Sequence, residues 1–244
     1  MDWVKRLSVG QKVGEPQEDH VVLGLNQVGW GTFEVRSADF SDLKVKDTCR
    51  FYVGRSDKFT VLLLQGQISL VEEIRPGTIR ITVHQRCRAL DQVHPLHLTE
   101  CTALHVLQEL VEATSLTFAT ADPKDPAAGY LTTSVPSFTS QGSLRSALES
   151  MGPVFGVPDA VWYEQPDGKV FWGSWGQTTM AKSPLPLQGN VIQERDPGGR
   201  SVLIPIVGAI RPGMVMQAPE GNYRVDGLQL QGDRMRLEWT ESRA

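Results

Sequence analysis

Apolar and polar positions alternate with a period of two along much of this chain, and two stretches switch to a period of three to four. Trp30 to Val35 (WGTFEV) sets Gly31, Phe33 and Val35 on one face and Trp30, Thr32 and Glu34 on the other. Thr78 to Cys87 alternates Ile79, Ile81 and Val83 against Arg80, Thr82 and His84. Val21-Val22-Leu23 and Cys49 to Val53 read as further strands. Phe59 to Ile74 is too long for one flat strand, and Gly66 in its middle predicts a bulge or sharp bend. Arg75-Pro76-Gly77 is a turn, with Pro fixing φ and Gly tolerating a positive φ. Strands at such short spacing predict a small barrel or sandwich over roughly residues 20–90.

The clearest helical stretch is Leu98 to Phe118. Thr99 or Thr102 can cap it. Leu104, Leu107, Leu110 and Val111 then share a face, with His105, Gln108, Glu109 and Glu112 opposite. Thr114-Ser115 ends it, and Leu116 to Phe118 reads as a short strand. Residues 120–142 are rich in Pro, Gly, Ser and Thr and predict a loop that orders on assembly. A second helix is predicted over Ser143 to Phe155, capped by Ser143 and interrupted at Gly152-Pro153. Ala160 to Glu164 and Lys169 to Trp175 flank Asp167-Gly168 and predict a β-hairpin. Residues 177–200 read as a polar connector with an exposed turn at Arg195 to Arg200. Strand patterns return at Ser201 to Val207, Met214 to Gln217, Tyr223 to Gln231 and Arg234 to Trp239, the last two joined at Gly232-Asp233. That final block is short for a core of its own, so it is expected to pair with the first β-block or with a neighbouring subunit.

A chain of 244 residues with 40% hydrophobic content can bury real cores, and its 23 Gly and 15 Pro favour turns over long helices. The formal net charge of −4 argues against a basic face that wraps nucleic acid. No apolar run approaches the ~20 residues that span a bilayer. Met1 to Arg6 lacks the apolar core of a signal peptide, which predicts a protein made and kept, or assembled, in the cytoplasm. Cys49, Cys87 and Cys101 show no close pairing and are expected as reduced thiols.

Candidate chemistry is sparse. His94, His97, Cys101 and His105 have spacings of three, four and four, and Cys101 and His105 would share a helix face. Without a paired C-x-x-C this is a weak zinc signal, and solvated histidines account for it equally well. His84 and Cys87 lie three apart in a predicted strand, so they point to opposite faces and cannot act together. Glu72-Glu73 reads as a solvated strand end. Gly29-Trp30-Gly31 lacks the third glycine of a dinucleotide fingerprint, leaving Trp30 as a packing aromatic. Trp162, Tyr163, Phe171, Trp172 and Trp175 crowd the hairpin and either form a stacking platform or pack beneath the helices. The sequence thus assigns no catalytic, cofactor-binding or metal-binding residue.

The order of these blocks resembles the baseplate hub (late-control-type) proteins of tailed phages and related injection machines. The resemblance rests on three segments. RCRALDQVHPLHLTECTALHVLQEL (Arg86 to Leu110) is similar to the point where the family's chain leaves a barrel for an α+β insertion. YEQPDGKVFWGSW (Tyr163 to Trp175) is similar to its hairpin after the second helix. SVLIPIVGAIRPGMVM with RMRLEW (Ser201 to Trp239) resembles its second barrel, with Arg211-Pro212-Gly213-Met214 as the turn before a strand.

The resemblance implies a mainly β chain with an α+β insertion, organised as two small tube-type β-barrel domains flanking a helix–strand–helix–hairpin module. The expected bounds are 1–94 for the first barrel, 95–176 for the insertion, and 177–244 for the connector and second barrel. It further implies a trimeric ring of six barrels in the virion tail tip, assembled in the host cytoplasm. Its partners would be the tail tube or distal tail protein and the tip, spike or fibre protein, with DNA passing through the lumen. No enzyme activity or cofactor is implied, and any wall-cutting activity would belong to another protein. Two other readings remain: an adaptor or binding module of a secretion-type machine, and a cell-wall-active enzyme using the Trp-rich hairpin.

Overall fold

The computed structural model describes residues 3–55 and 60–242. Phe59, the expected start of the long strand, and Met1-Asp2 lie outside the described residues. The chain divides into two compact units: a sheet unit of Met1–Gln85 with Ser183–Ala244, and an insertion of Arg86–Lys182.

Seven strands precede the insertion: β1 (Val4–Val9), β2 (Lys12–Gly14), β3 (Glu18–Gly24), β4 (Trp30–Arg36), β5 (Thr48–Gly54), β6 (Thr60–Arg75) and β7 (Thr78–His84). They pair antiparallel in the order β3-β4-β7-β6-β5-β1-β2. The period-two pattern is obeyed: Gly31, Phe33 and Val35 on β4 are buried, and their neighbours are not. β6 continues through 16 residues. The bend expected at Gly66 is placed elsewhere, at bulges that leave Leu63 unmatched opposite β5 and Ser69 and Ile74 unmatched opposite β7. Gly66 serves close approach instead, because a Cβ there would stand 2.2 Å from the His84 carbonyl oxygen. Pro76-Gly77 makes the β6–β7 turn, with Gly77 at φ 79°. Lys5 on β1 forms an ion pair with Asp19 on β3, so this half of the sheet curls until its first and third strands meet.

The insertion opens with a 3-10 turn (Arg86–Asp91) and β8 (Leu96–Cys101). Helix α1 (Ala103–Thr114) is therefore shorter than the Leu98 to Phe118 stretch. Thr102 is its cap: the Thr102 hydroxyl accepts from the His105 N–H, and His105 Nδ1 accepts from the Thr102 N–H, both at 3.3 Å. Ser115, at φ 57°, ends it. The buried face is Ala103, Val106, Leu107 and Leu110. Val111, expected on that face, is exposed, because the stripe is centred between Val106 and Leu110 and Val111 falls beyond its edge. β9 (Phe118–Ala119) follows.

Residues 120–142 are not a loop throughout. They contain a 3-10 turn (Pro126–Leu131) and β10 (Val135–Ser140), which pairs antiparallel with β8. The Ser, Thr and Pro content masked a short strand whose Phe138 is buried opposite Leu98. Helix α2 (Leu144–Val154) is capped by Ser143 and buries Leu144, Ala147, Leu148 and Met151. β11 (Ala160–Glu164) and β12 (Val170–Ser174) form the expected hairpin, and β9 adds parallel to β12.

Helix α3 (Thr179–Lys182) closes the insertion. The polar connector then carries β13 (Leu185–Pro186) and β14 (Glu194–Arg195), paired with β16 and β15 of the final block. That block is β15 (Ser201–Pro205), β16 (Val215–Ala218), β17 (Gly221–Gln231) and β18 (Arg234–Glu241). β17 pairs with β3, matching Leu228 to Leu23 and Leu230 to Val21. The last block thus pairs with the first, as its shortness predicted. One 13-stranded sheet runs from β14 to β2. Phe33, Phe51 and Ile81 share a single apolar core with Met216, Leu228 and Leu237. The chain is mainly β with an α+β insertion.

Candidate functional site

Of the four metal candidates, His94 stands exposed and the other three take separate structural roles. Cys101 ends β8 before the helix begins and is buried, so the helix face it was to share with His105 does not exist. His105 belongs to the α1 cap. His97 Nδ1 lies 2.9 Å from the Thr139 hydroxyl across the β8–β10 pair. Among the described residues, no group of three or more His, Cys, Asp or Glu is placed to hold a metal ion.

The thiols are poor nucleophiles. β7 stops at His84, whose Nδ1 is 2.9 Å from the Ser69 hydroxyl, and Cys87 lies in the 3-10 turn beyond. Burial pushes the Cys87 thiol well above its ordinary value, and nearby Glu164 adds to the effect. Burial likewise pushes Cys49 up to about 12. Glu72 is exposed and pairs with Arg80 at 3.4 Å.

Four of the five hairpin aromatics are core: Trp162, Tyr163, Phe171 and Trp172 are buried, and only Trp175, half-buried in the 3-10 turn after β12, keeps an accessible ring, so they do not form a stacking platform together. The Trp172 indole N–H donates to the Leu148 carbonyl at 3.2 Å. Tyr130 meets the Trp172 ring edge-on, and Tyr163 stacks with Phe171 at 5.4 Å. Both faces of this hairpin are covered, so its strands do not alternate. In the sheet unit, Trp30 packs edge-on against His20 at 5.1 Å.

Three largely buried charged groups went unflagged by the sequence: Glu164 and Asp19, both buried, and the half-buried Arg211. Glu164 ends the apolar run AVWYE, and its carboxylate accepts the Cys87 N–H at 2.7 Å. It ties the entry of the insertion to β11. Burial raises its pKa to about 7, against the lowering effect of that hydrogen bond. Arg211, expected as a plain turn residue, donates to the carbonyls of Gly208, Ile210 and Leu62, which pins the turn to β6. Burial lowers its pKa to about 10. No pattern of residue types marks any of them; for Glu164 and Arg211 the only signal was a charge beside apolar neighbours.

The sheet unit also carries two exposed features, a cleft rich in carboxylates and a turn that bears both lysines and aspartates. A cleft of about 680 Å³ is lined by Trp3, Lys5, Glu15, Glu18, Asp19 and Asp233, among others. Lys5 is engaged by Asp19 and by the Gly232 carbonyl. The Asp19 side chain is 4% exposed, and among the described residues its second oxygen, Oδ2, has no hydrogen-bond partner. Elsewhere on the sheet unit, Lys44, Val45 and Lys46 stand exposed on the turn between β4 and β5, with Val45 57% exposed.

No protein-family model matches the chain. It is 25% identical over 221 residues to an uncharacterized 58.7 kDa protein of Haemophilus phage HP1, covering 90% of this chain and 38% of that protein. The chain therefore spans well under half the length of this relative. Among solved structures, the 43 kDa tail protein of prophage MuSo2 from Shewanella oneidensis aligns with TM-score 0.70 at 9% identity, covering 98% of this chain and 97% of the other. A tail protein from Neisseria meningitidis MC58 aligns with TM-score 0.68 at 10% identity, covering 99% and 97%. An Escherichia coli component of the type VI secretion system, itself similar in structure to bacteriophage T4 tail proteins, aligns with TM-score 0.62 at 7% identity, covering 97% and 76%. The chain has the fold of these phage-tail and secretion-system proteins.

Proposed function

We propose that the chain is a structural subunit of a phage tail baseplate hub. In this reading it forms a ring, a trimer with two tube-type barrel regions per subunit, in the virion tail tip. The ring joins the tail tube or distal tail protein to the tip, spike or fibre and lets DNA pass. The role is assembly rather than catalysis. The observation that carries the reading is coverage: the tail-protein fold takes in nearly the whole chain and nearly the whole of two tail proteins. A related phage sequence agrees with it. The net charge of −4 suits a lumen through which DNA slides without sticking.

The likeness to a type VI secretion component keeps an adaptor of an injection machine as the second reading. Gold-labelled antibody against the chain, applied to particles from the source strain, separates the two. Label at the distal end of a phage tail tube is the expected result. Label confined to a secretion apparatus favours the adaptor, and label along the tube or on no particle overturns the hub.

A further inference from the structure

The outward face of the sheet unit holds a second recess, of about 310 Å³, over β3, β4 and β7. Ligand sites typically run from about 300 to 1,000 Å³. Ladder register places its side chains in rows. Glu18 faces Glu34 across β3–β4, and Glu34 faces Arg80 across β4–β7. The next row is Gln231, His20 and Thr32, and Trp30 follows on β4. The alternate residues Val21, Phe33 and Ile81 are buried in the core, so these rows point outward. Glu18 and Gln231 also line the larger cleft, so recess and cleft adjoin, and the cleft has its own tryptophan, Trp3.

Two features exceed what a solvated strand face needs. The first is the Glu18–Glu34 pair, since like charges opposed across strands are destabilising. Arg80 donates to Glu34 at 2.8 Å and pairs with Glu72 at 3.4 Å, while Glu18 is exposed and forms no ion pair among the described residues. The second is that Trp3 and Trp30 are only half-buried on this polar surface, whereas Trp162, Trp172 and Trp239 are buried. Both rings are braced: His20 meets Trp30 edge-on at 5.1 Å, and the Arg55 guanidinium stands 5.7 Å over the Trp3 ring. A ring fixed before contact loses less entropy on binding.

The chemistry selects a ligand class. Glu18 and Glu34 offer acceptors, Arg80 offers donors, and the Gln231 amide offers both. Hydroxyl groups, each a donor and an acceptor, match that mixture. The Trp30 ring adds apolar surface for C–H groups. A sugar ring carries both, hydroxyls around its rim and C–H groups on its face. An anion would meet the uncompensated Glu18, since Lys5 is already held by Asp19. A wholly apolar ligand would strip water from the carboxylates without replacing it.

We propose that the recess binds one ring of a neutral saccharide, with Trp30 against its C–H face and Glu18, Arg80 and Gln231 on its hydroxyls. Further sugars of the chain continue into the cleft toward Trp3. The inference does not rest on the hub reading, because a monomer carries the whole site.

Titration calorimetry of the full chain tests it, using neutral trisaccharides of glucose, mannose, galactose and N-acetylglucosamine, with trigalacturonate as the anionic counterpart. At least one neutral trisaccharide should bind with a Kd of about 1 mM or tighter. Trigalacturonate should bind at least about tenfold more weakly. Trp30→Ala and Gln231→Ala should each weaken the neutral ligand by about tenfold. Glu18→Gln should narrow the gap between the two ligands, because the amide keeps an acceptor and removes the charge. Gln231 is exposed, so Gln231→Ala with an unchanged melting temperature reads binding alone. The Trp30 indole N–H resonance, assigned by its loss in Trp30→Ala, should shift as sugar is added, which a loosened fold does not mimic. Absence of binding by every neutral trisaccharide at about 10 mM overturns the inference. Binding undiminished in both Trp30→Ala and Gln231→Ala overturns it too, as does trigalacturonate bound as tightly as the neutral sugars. Each of these outcomes leaves the hub reading standing.

Discussion

The insertion and the sheet unit bury their cores in opposite ways. The insertion is one continuous segment, Arg86–Lys182, whose helices cover a hairpin a few tens of residues away. The sheet unit joins two segments separated by that whole insertion, and its core depends on β17 finding β3. The first unit is stabilised by local contacts and a few large aromatics. The second depends on long-range register, in which a one-residue slip turns every side chain to the wrong face.

Four changes break or sharpen that contrast. The largest effect is expected from Trp172→Ala, which empties a fully buried site and leaves the Leu148 carbonyl without its indole donor. It should cost about 4 kcal/mol. Hydrogen exchange should show the loss across 86–182, with the amides of β3 and β17 unaffected. Equal loss in both units would show that they do not unfold separately.

Glu164 comes next and makes the insertion pH-sensitive. Its carboxyl is held at about 7 in the fold, against 4.5 as its ordinary value. The folded state then binds the proton more tightly, so this contribution is full below pH ~4.5 and is lost as pH rises through ~7. The span corresponds to about 3 kcal/mol. Glu164→Gln keeps an oxygen for the Cys87 N–H and should flatten the fall in melting temperature between pH 5 and 7.5, a window set by the same linkage. A variant with the wild-type slope would contradict the assignment.

Gly66→Ala probes the sheet unit. The new methyl meets the His84 backbone rather than a side chain that can move, so about 2 kcal/mol should be lost. Exchange should rise in β6 and β7 and stay constant in α1 and α2. The smallest effect is Thr102→Ala, which removes the α1 cap at about 1 kcal/mol. Fraying confined to the first turn of α1 is the expected signature in amide exchange.

What the sequence revealed follows the same contrast. Helices α1 and α2, their caps and the Asp167-Gly168 hairpin were readable because each is set by residues close in sequence, whereas the single turn α3 was read as connector. The alternation of β4 and β7 was readable because one face of each is buried. The bulges at Leu63 and Ser69 were not, since a bulge is defined by a partner strand and Gly66 drew attention for a different reason. β10 escaped because its polar residues face out and only Phe138 carries the core. The aromatics gave no alternation because their hairpin is covered on both sides. Glu164, Asp19 and Arg211 were hidden for one shared reason: burial of a charge is a property of the fold, and a single residue letter carries no sign of it.

The central claim is that this chain builds a ring. Solution mass by light scattering at several concentrations, with negative-stain images of the same peak, tests it most directly. The account predicts a stable trimer seen as a ring with a central hole. A compact monomer at every concentration would contradict it.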